Sequence, residues 1–175
     1  MRAAADLFYA EGYGVSIESI AERAGVAKPT VYAHFASKEA LIAAVLEAAT
    51  DQWFEELDAE VAHRAGNAVS QIMAPFDLLV EDLPDPAYRG CVFVNSAAAF
   101  PDPAHPARQV LAAHHERMLE RFEGLAAASG ASRPAAVARA LLLLYDGVKV
   151  RGLVDVSGAT ADDAREAARA LVISD

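Results

Sequence analysis

The chain of 175 residues is predicted to be all-α. More than half of it is hydrophobic, alanine is abundant and aromatics are few, which favours helices. Apolar residues recur at the helical period through long segments, and no alternating run rich in Val, Ile and Thr is long enough for a sheet. The apolar content is enough for a sizeable core, and the length suits one compact domain or a small module fused to a larger one.

The elements follow in order. Leu7 and Phe8 lie on one stripe with Ala4 over residues 2–11, and Gly12 and Gly14 end that helix. Ser16 is placed to cap the short helix IESIAERA, which Gly25 interrupts. Pro29 suits the first turn of another short helix, and Ser37 caps a third start. From there Leu41, Val45, Ala48, Trp53, Leu57 and Val61 keep the 3.6-residue period for about seven turns, until Gly66. Residues 67–83 are amphipathic with Pro75 inside, so a kink or break is expected there. LPDPAYRG and FPDPAHPA are turn chemistry flanking a short apolar helix, GCVFVNSAAAF. A long helix over 107–129 ends at Gly130, an apolar one covers 133–156, and Thr160 caps the last, with Asp162 and Asp163 in its first turn. The natural boundary falls near residue 45, inside the helix that begins after Ser37, giving modules of 1–45 and 46–175.

Composition excludes several classes of function. The longest apolar run, Ala140 to Tyr145, cannot span a bilayer, and no signal-peptide pattern opens the chain. The single cysteine, Cys91, forms no intrachain disulfide and fits a reducing cytoplasm. With 15 Lys+Arg against 25 Asp+Glu, the bulk surface repels polyanions, so any nucleic-acid contact must be local. The place for it is the stretch from Arg23 to Lys38, which has no Asp or Glu.

That stretch has the spacing of a helix-turn-helix. Gly25 supplies the residue tolerant of positive φ, Ala21 must be small where the second helix crosses, and Val31 is that helix's apolar plug. Ile17, Ile20, Val26 and Phe35 complete a small core with Leu7 and Phe8. Lys28, Pro29, Thr30, Tyr32 and His34 are left facing outward, where short donors can reach base edges or phosphates. A carboxylate there would repel the duplex.

The run SIESIAERAGVAKPTVYAHFASKEALIAAVL closely resembles the DNA-binding domain of the tetracycline-repressor (TetR) family of bacterial regulators. The glycine turn, the Thr-x-Tyr-x-His-Phe helix and the Ser-Lys-Glu-x-Leu start appear in order within residues 2–47; the remainder resembles the family only in helix number, length and order. The resemblance implies that residues 28–34 form the recognition helix, with Thr30 near bases or backbone and Ser16, Tyr32, His34 and Lys38 on phosphates. It also implies a homodimer on double-stranded operator DNA and a repressor released by a small-molecule effector. The alternative is a helical small-molecule-binding protein with a vestigial DNA module. Two features depart from the family pattern. The family usually has further residues, often basic, before the first helix, whereas this chain starts almost inside it, and residues 1–50 hold four Lys/Arg against six Asp/Glu. Either the native start lies upstream, or phosphate contacts rely on few cations and more on backbone N–H groups. Ala27 also stands where the family often has a capping Ser, a loss of about 1 kcal/mol that Pro29 partly offsets.

Elsewhere the chemistry is sparse. Adjacent His114 and His115 point about 100° apart and no ligand stands at i+4, so no metal is expected. His114 is either the polar group of an apolar pocket or a helix-face histidine bonded locally. Cys91 is either a thiol at a helix start beside Arg89, the arrangement of a redox sensor, or buried packing. No nucleophile elbow, P-loop, dinucleotide fingerprint or CxxC is present, so neither an enzyme nor a cofactor is expected. A ligand pocket is expected among Trp53, Phe54, Leu57, Phe76, Phe93, Met118 and Phe122, with Ser96, His114, Tyr145, Asn95 and Lys149 as polar groups. Residues 133–173 are expected to pair with their copies as a four-helix interface, because Val137, Ala140, Leu141, Leu144, Tyr145 and Val148 make a stripe wider than one neighbour covers.

Overall fold

The computed structural model describes residues 1–82, 88–154 and 159–174. Among them the helices are α1 (Arg2–Glu11), α2 (Ile17–Ala24), α3 (Lys28–His34), α4 (Lys38–His63), α5 (Ala68–Asp82), α6 (Val92–Ala99), α7 (Pro106–Ala128), α8 (Pro134–Arg151) and α9 (Ala159–Ser174). No strand occurs among the described residues. The chain divides into two compact units, one of residues 1–51 and 91–113, the other of 52–90 and 114–175.

The first unit is built around α2 and α3. Ser16 Oγ accepts a hydrogen bond from Ser19 N (3.1 Å), capping α2. Gly25 ends it at φ 68°, where the Val26 amide returns to the Ala21 carbonyl (3.0 Å). A β-carbon at that φ costs about 1 kcal/mol, which is why glycine stands there. Ser37 Oγ caps α4 through Ala40 N (3.1 Å). Ala4, Phe8, Ile17, Ile20, Ala21 and Val31 pack with Leu41, Ile42, Val45 and Leu46, and Leu7 and Phe35 cover the edge. Val26 does not join this core: its amide closes the turn and its side chain is exposed. The aromatic side of the unit runs Phe8, Tyr13, Phe100, His105, with the last two rings stacked at 4.0 Å. The Tyr13 hydroxyl donates to the Val92 carbonyl (3.4 Å) at the start of α6. Burial raises the Tyr13 pKa, only partly opposed by the neighbouring Ser96 hydroxyl.

In the second unit, α9 packs against α8 and α5. Phe76, Phe122 and Tyr145 meet ring to ring at about 6 Å centroid spacing, two of the three pairs edge-on, over Leu57, Ile72, Met118 and Leu141. Pro75 does not break α5, which runs through it as one helix. The ring removes one backbone donor, and the helix is held by the burial of Ile72, Met73, Phe76 and Leu79 around it. Arg64, at the end of α4, bonds Glu60, the Ser70 carbonyl and Asp77, and Arg165 of α9 pairs with the same Asp77.

Three helix ends add to or depart from the expectation. The His105 ring, not a conventional capping side chain, receives the Ala107 amide (3.2 Å) at the start of α7. Helix α8 stops at Arg151, and residues 155–156, expected to continue it, lie outside the described residues, as do 83–87 of the first turn segment. Helix α9 begins at Ala159, and the side chain of Thr160, expected as its cap, lies outside the described residues.

Candidate nucleic-acid interface and interior polar site

The turn at Gly25 sets α3 so that Val31 points inward while Lys28, Pro29, Thr30, Tyr32 and His34 are all exposed. Lys38, opening α4, is half-buried, and Ser16, opening α2, is exposed. These seven residues therefore belong to one unit and come from the openings of α2 and α4 and from α3 itself. Ala27 makes no side-chain cap, and the first turn of α3 is closed by the backbone alone, Thr30 N to the Ala27 carbonyl at 2.9 Å.

The acid-free stretch is not free of acid in space. Glu18, in the first turn of α2, forms an ion pair with Lys28, and the same ammonium lies 5.8 Å from the Tyr32 ring centroid. The hydrogen bond from Lys28 lowers the Glu18 pKa, and Glu18 in turn raises that of Lys28. Glu18 precedes the turn and so lies outside the acid-free stretch, yet Lys28 stands only ten residues further on, across a helix-turn-helix that brings the two openings together.

The twelve expected pocket residues divide between the units, Asn95 falling in the first and Lys149 in the second. Trp53, Phe54, Leu57, Phe76, His114, Met118, Phe122 and Tyr145 converge in the second. The Trp53 indole N–H donates to Met118 Sδ (3.3 Å), His114 is edge-on to Phe54 with centroids 5.7 Å apart, and Trp53 lies 6.2 Å from Tyr145. Phe93 and Ser96 belong to the first unit: Phe93 packs on the core of the helix-turn-helix, and Ser96 Oγ is buried without a well-aligned hydrogen bond. Cys91 is half-exposed at the N-cap of α6 and makes no capping bond.

His114 and Lys149 are buried in the second unit, at 4% and 5% exposure. Burial, then the charge of Lys149, pushes the His114 pKa down to about 3, so its imidazole is neutral near pH 7. Lys149 Nζ is 2.8 Å from Asp146 Oδ1 and 4.6 Å from the Tyr145 ring centroid; Asp146 Oδ2 meets His115 Nε2 at 3.0 Å. Burial raises the Asp146 pKa, but Lys149 and His115 outweigh it and leave it lowered. No group of three His, Cys, Asp or Glu side chains suited to a metal occurs among the described residues. None of the described helices is long and apolar enough to cross a membrane.

A capped short helix, a left-handed glycine turn and a second helix with its polar side outward define a helix-turn-helix DNA-binding protein. Residues 1–45 match the family model for bacterial regulatory proteins of the tetR family. The chain is similar to the TetR-family transcriptional regulator SCO4454 from Streptomyces coelicolor, at 30% identity and a TM-score of 0.90, with 99% of this chain and 92% of that one covered. It is also similar to a TetR transcriptional regulator from Streptomyces avermitilis, at 30% identity and a TM-score of 0.76, covering 95% and 94%. The HTH-type transcriptional regulator YjdC of Escherichia coli (strain K12) is 26% identical over 156 residues, 87% of this chain and 80% of that protein. The chain belongs to the TetR family. It is a DNA-binding transcriptional regulator.

Proposed function

We propose that the chain is a cytoplasmic repressor that binds a pseudo-palindromic operator as a homodimer and leaves it when a small molecule occupies the second unit. The observation that carries the DNA contact is the exposed side of α3, where Lys28, Thr30, Tyr32 and His34 stand clear of the core while Val31 anchors the helix. In this reading residues 1–45 are the DNA-binding module and 46–175 bind effector and partner subunit. Thr30 meets bases or backbone, and Ser16, Tyr32, His34 and Lys38 meet phosphates. The dimer is supported by an apolar groove along α8 and α9, lined by Ala136, Ala140, Leu143, Leu144, Ala167 and Leu171, in which Leu143 is 74% exposed. A leucine that open on a helix flanked by alanines fits the close approach of a second copy. Two modules related by a two-fold axis reach half-sites about 34–36 Å apart or a little more.

Release follows from chain continuity. Helix α4 carries Lys38 at one end and Trp53, Phe54 and Leu57 further along, so a ligand that favours a different position of its far end alters how α3 is presented. Such a ligand must bind the two conformations with different affinity. Anisotropy titration of the full chain against DNA upstream of its own gene tests the reading. Sequence-selective, salt-dependent binding is expected; its absence would leave a helical binding protein with a vestigial DNA module.

A further inference from the structure

Helix α8 buries an apolar face, Val137, Leu141, Tyr145 and Val148, and then buries Lys149 as well. Lysines on helix faces usually carry the ammonium out to water along their own apolar stem. This one does not, although burying a cation is costly unless it is compensated. Its compensation comes from a half-buried carboxylate, Asp146, shared with His115, and from the face of the Tyr145 ring. The second buried polar side chain, His114, is close enough for the lysine's charge to depress its pKa, and it lies edge-on to Phe54. Trp53, Phe54, Met118 and Tyr145 supply the apolar and aromatic surroundings.

We propose that this cluster is the recognition site for an effector with an apolar body and a carboxylate, Lys149 being the counter-ion. The assignment rests on the effector reading above and adds the chemical class. A cationic ligand would meet a fixed like charge. An uncharged one would give Lys149 nothing in return for displacing its present partners. A carboxylate can take over from Asp146, which keeps its bond to His115, and a charge-assisted hydrogen bond in an apolar surround is about twice as strong as a neutral one. Arg117, with its guanidinium 3.8 Å over the Phe54 ring centroid, is a further cation on that side of the cluster.

Trp53 is the sole tryptophan, so its emission reports on the site without reference to DNA. The full-length protein is titrated with decanoate, 1-decanol and decyltrimethylammonium, each below the concentration at which it self-associates. Decanoate should change Trp53 emission saturably and bind at least tenfold more tightly than decanol. Lys149→Met should remove that preference while leaving the decanol response, and Lys149→Arg, which keeps the charge should the methionine variant unfold, should preserve it. Equal binding of decanol, or tighter binding of the ammonium, overturns the carboxylate assignment but leaves an apolar effector site. No emission change with any of the three overturns both the assignment and an effector site around Trp53. Tight decanoate binding that leaves DNA affinity unchanged supports the site and refutes release by its occupant.

Discussion

Glu18 and Lys28, from the openings of two different helices, form an ion pair on the face that carries Thr30 and Tyr32. Both side chains are largely exposed, so the pair adds little to stability. Its effect falls on DNA binding, because the carboxylate holds a cation that phosphate would otherwise take. Glu18→Gln is expected to tighten operator binding several-fold at low salt and to steepen the dependence of log K on log salt by about one counter-ion. The melting temperature should not move. Repeating the substitution in a Lys28→Gln background should recover only part of the gain, and an identical gain in both backgrounds would show that Glu18 acts on the duplex without Lys28.

Contacts to backbone and to bases should separate by substitution. Lys38→Ala is expected to weaken binding to all sequences alike and to lower the salt slope by about one. Thr30→Ala should change the ranking of operator variants. Titrations against a set of single-base variants of the operator check both, and a Lys38 variant that altered sequence preference would contradict the assignment.

Leu143 is the test of assembly. Leu143→Glu places a charge where the proposed partner copy would bury a leucine, while in the isolated chain the position is open. Light scattering at micromolar concentration is expected to give a dimer for the parent and a monomer for the variant, with helical content unchanged. A variant that stayed dimeric would move the interface elsewhere.

His114 makes the protein acid-sensitive in a defined window. Its pKa falls from 6.5 to about 3 on folding, so between those values the unfolded chain binds a proton that the folded chain does not. Stability from this group is therefore intact above about pH 6.5 and is lost as pH falls toward 3, by an amount on the order of a few kcal/mol. Asp146, whose pKa is also lowered, contributes stability that is lost only below the ordinary aspartate range. Urea midpoints from pH 7 to 4.5 should fall less steeply in His114→Gln than in the parent. Parallel curves would mean that His114 is not buried in its neutral form.

Gly25 should tolerate substitution sterically but not conformationally. A β-carbon there meets nothing within 4 Å, yet φ is 68°. Gly25→Ala is expected to cost about 1 kcal/mol, seen as a lower urea midpoint at unchanged m-value. A loss several times larger would mean that the turn rearranges.

Local chemistry was the legible part of this chain. The caps at Ser16 and Ser37, the turn at Gly25 and the outward set on α3 depend on residues within a few positions of one another, and sequence spacing states them directly. Val26 was misread because hydrophobicity outweighed the turn: once its amide is spent on Ala21, the side chain is left outside. Pro75 predicts a kink or break in α5, and no break occurs, because the burial around it holds the helix together. The pairing of Glu18 with Lys28 and the capping of α7 by His105 were invisible, since neither partner has a distinctive pattern around it. The aromatic set was only partly legible. Periodicity marks Phe93 and Phe122 as inward-facing but does not say into which of two cores. The same limit applies to α8, where Val137, Leu141, Tyr145 and Val148 read as part of an intersubunit stripe but are buried in the unit's own core.

Asp77 accepts from arginines on two other helices, Arg64 closing α4 and Arg165 on α9, from its own place on α5. One carboxylate thus serves as a common node, and its loss would take one partner from each of two partly buried guanidinium groups at once, leaving Arg64 to Glu60 and the Ser70 carbonyl and Arg165 to Asp162. The three helices consequently lack independent ways to loosen. Heating or denaturant should release them together, so the second unit would act as a single cooperative block whose parts share one fate.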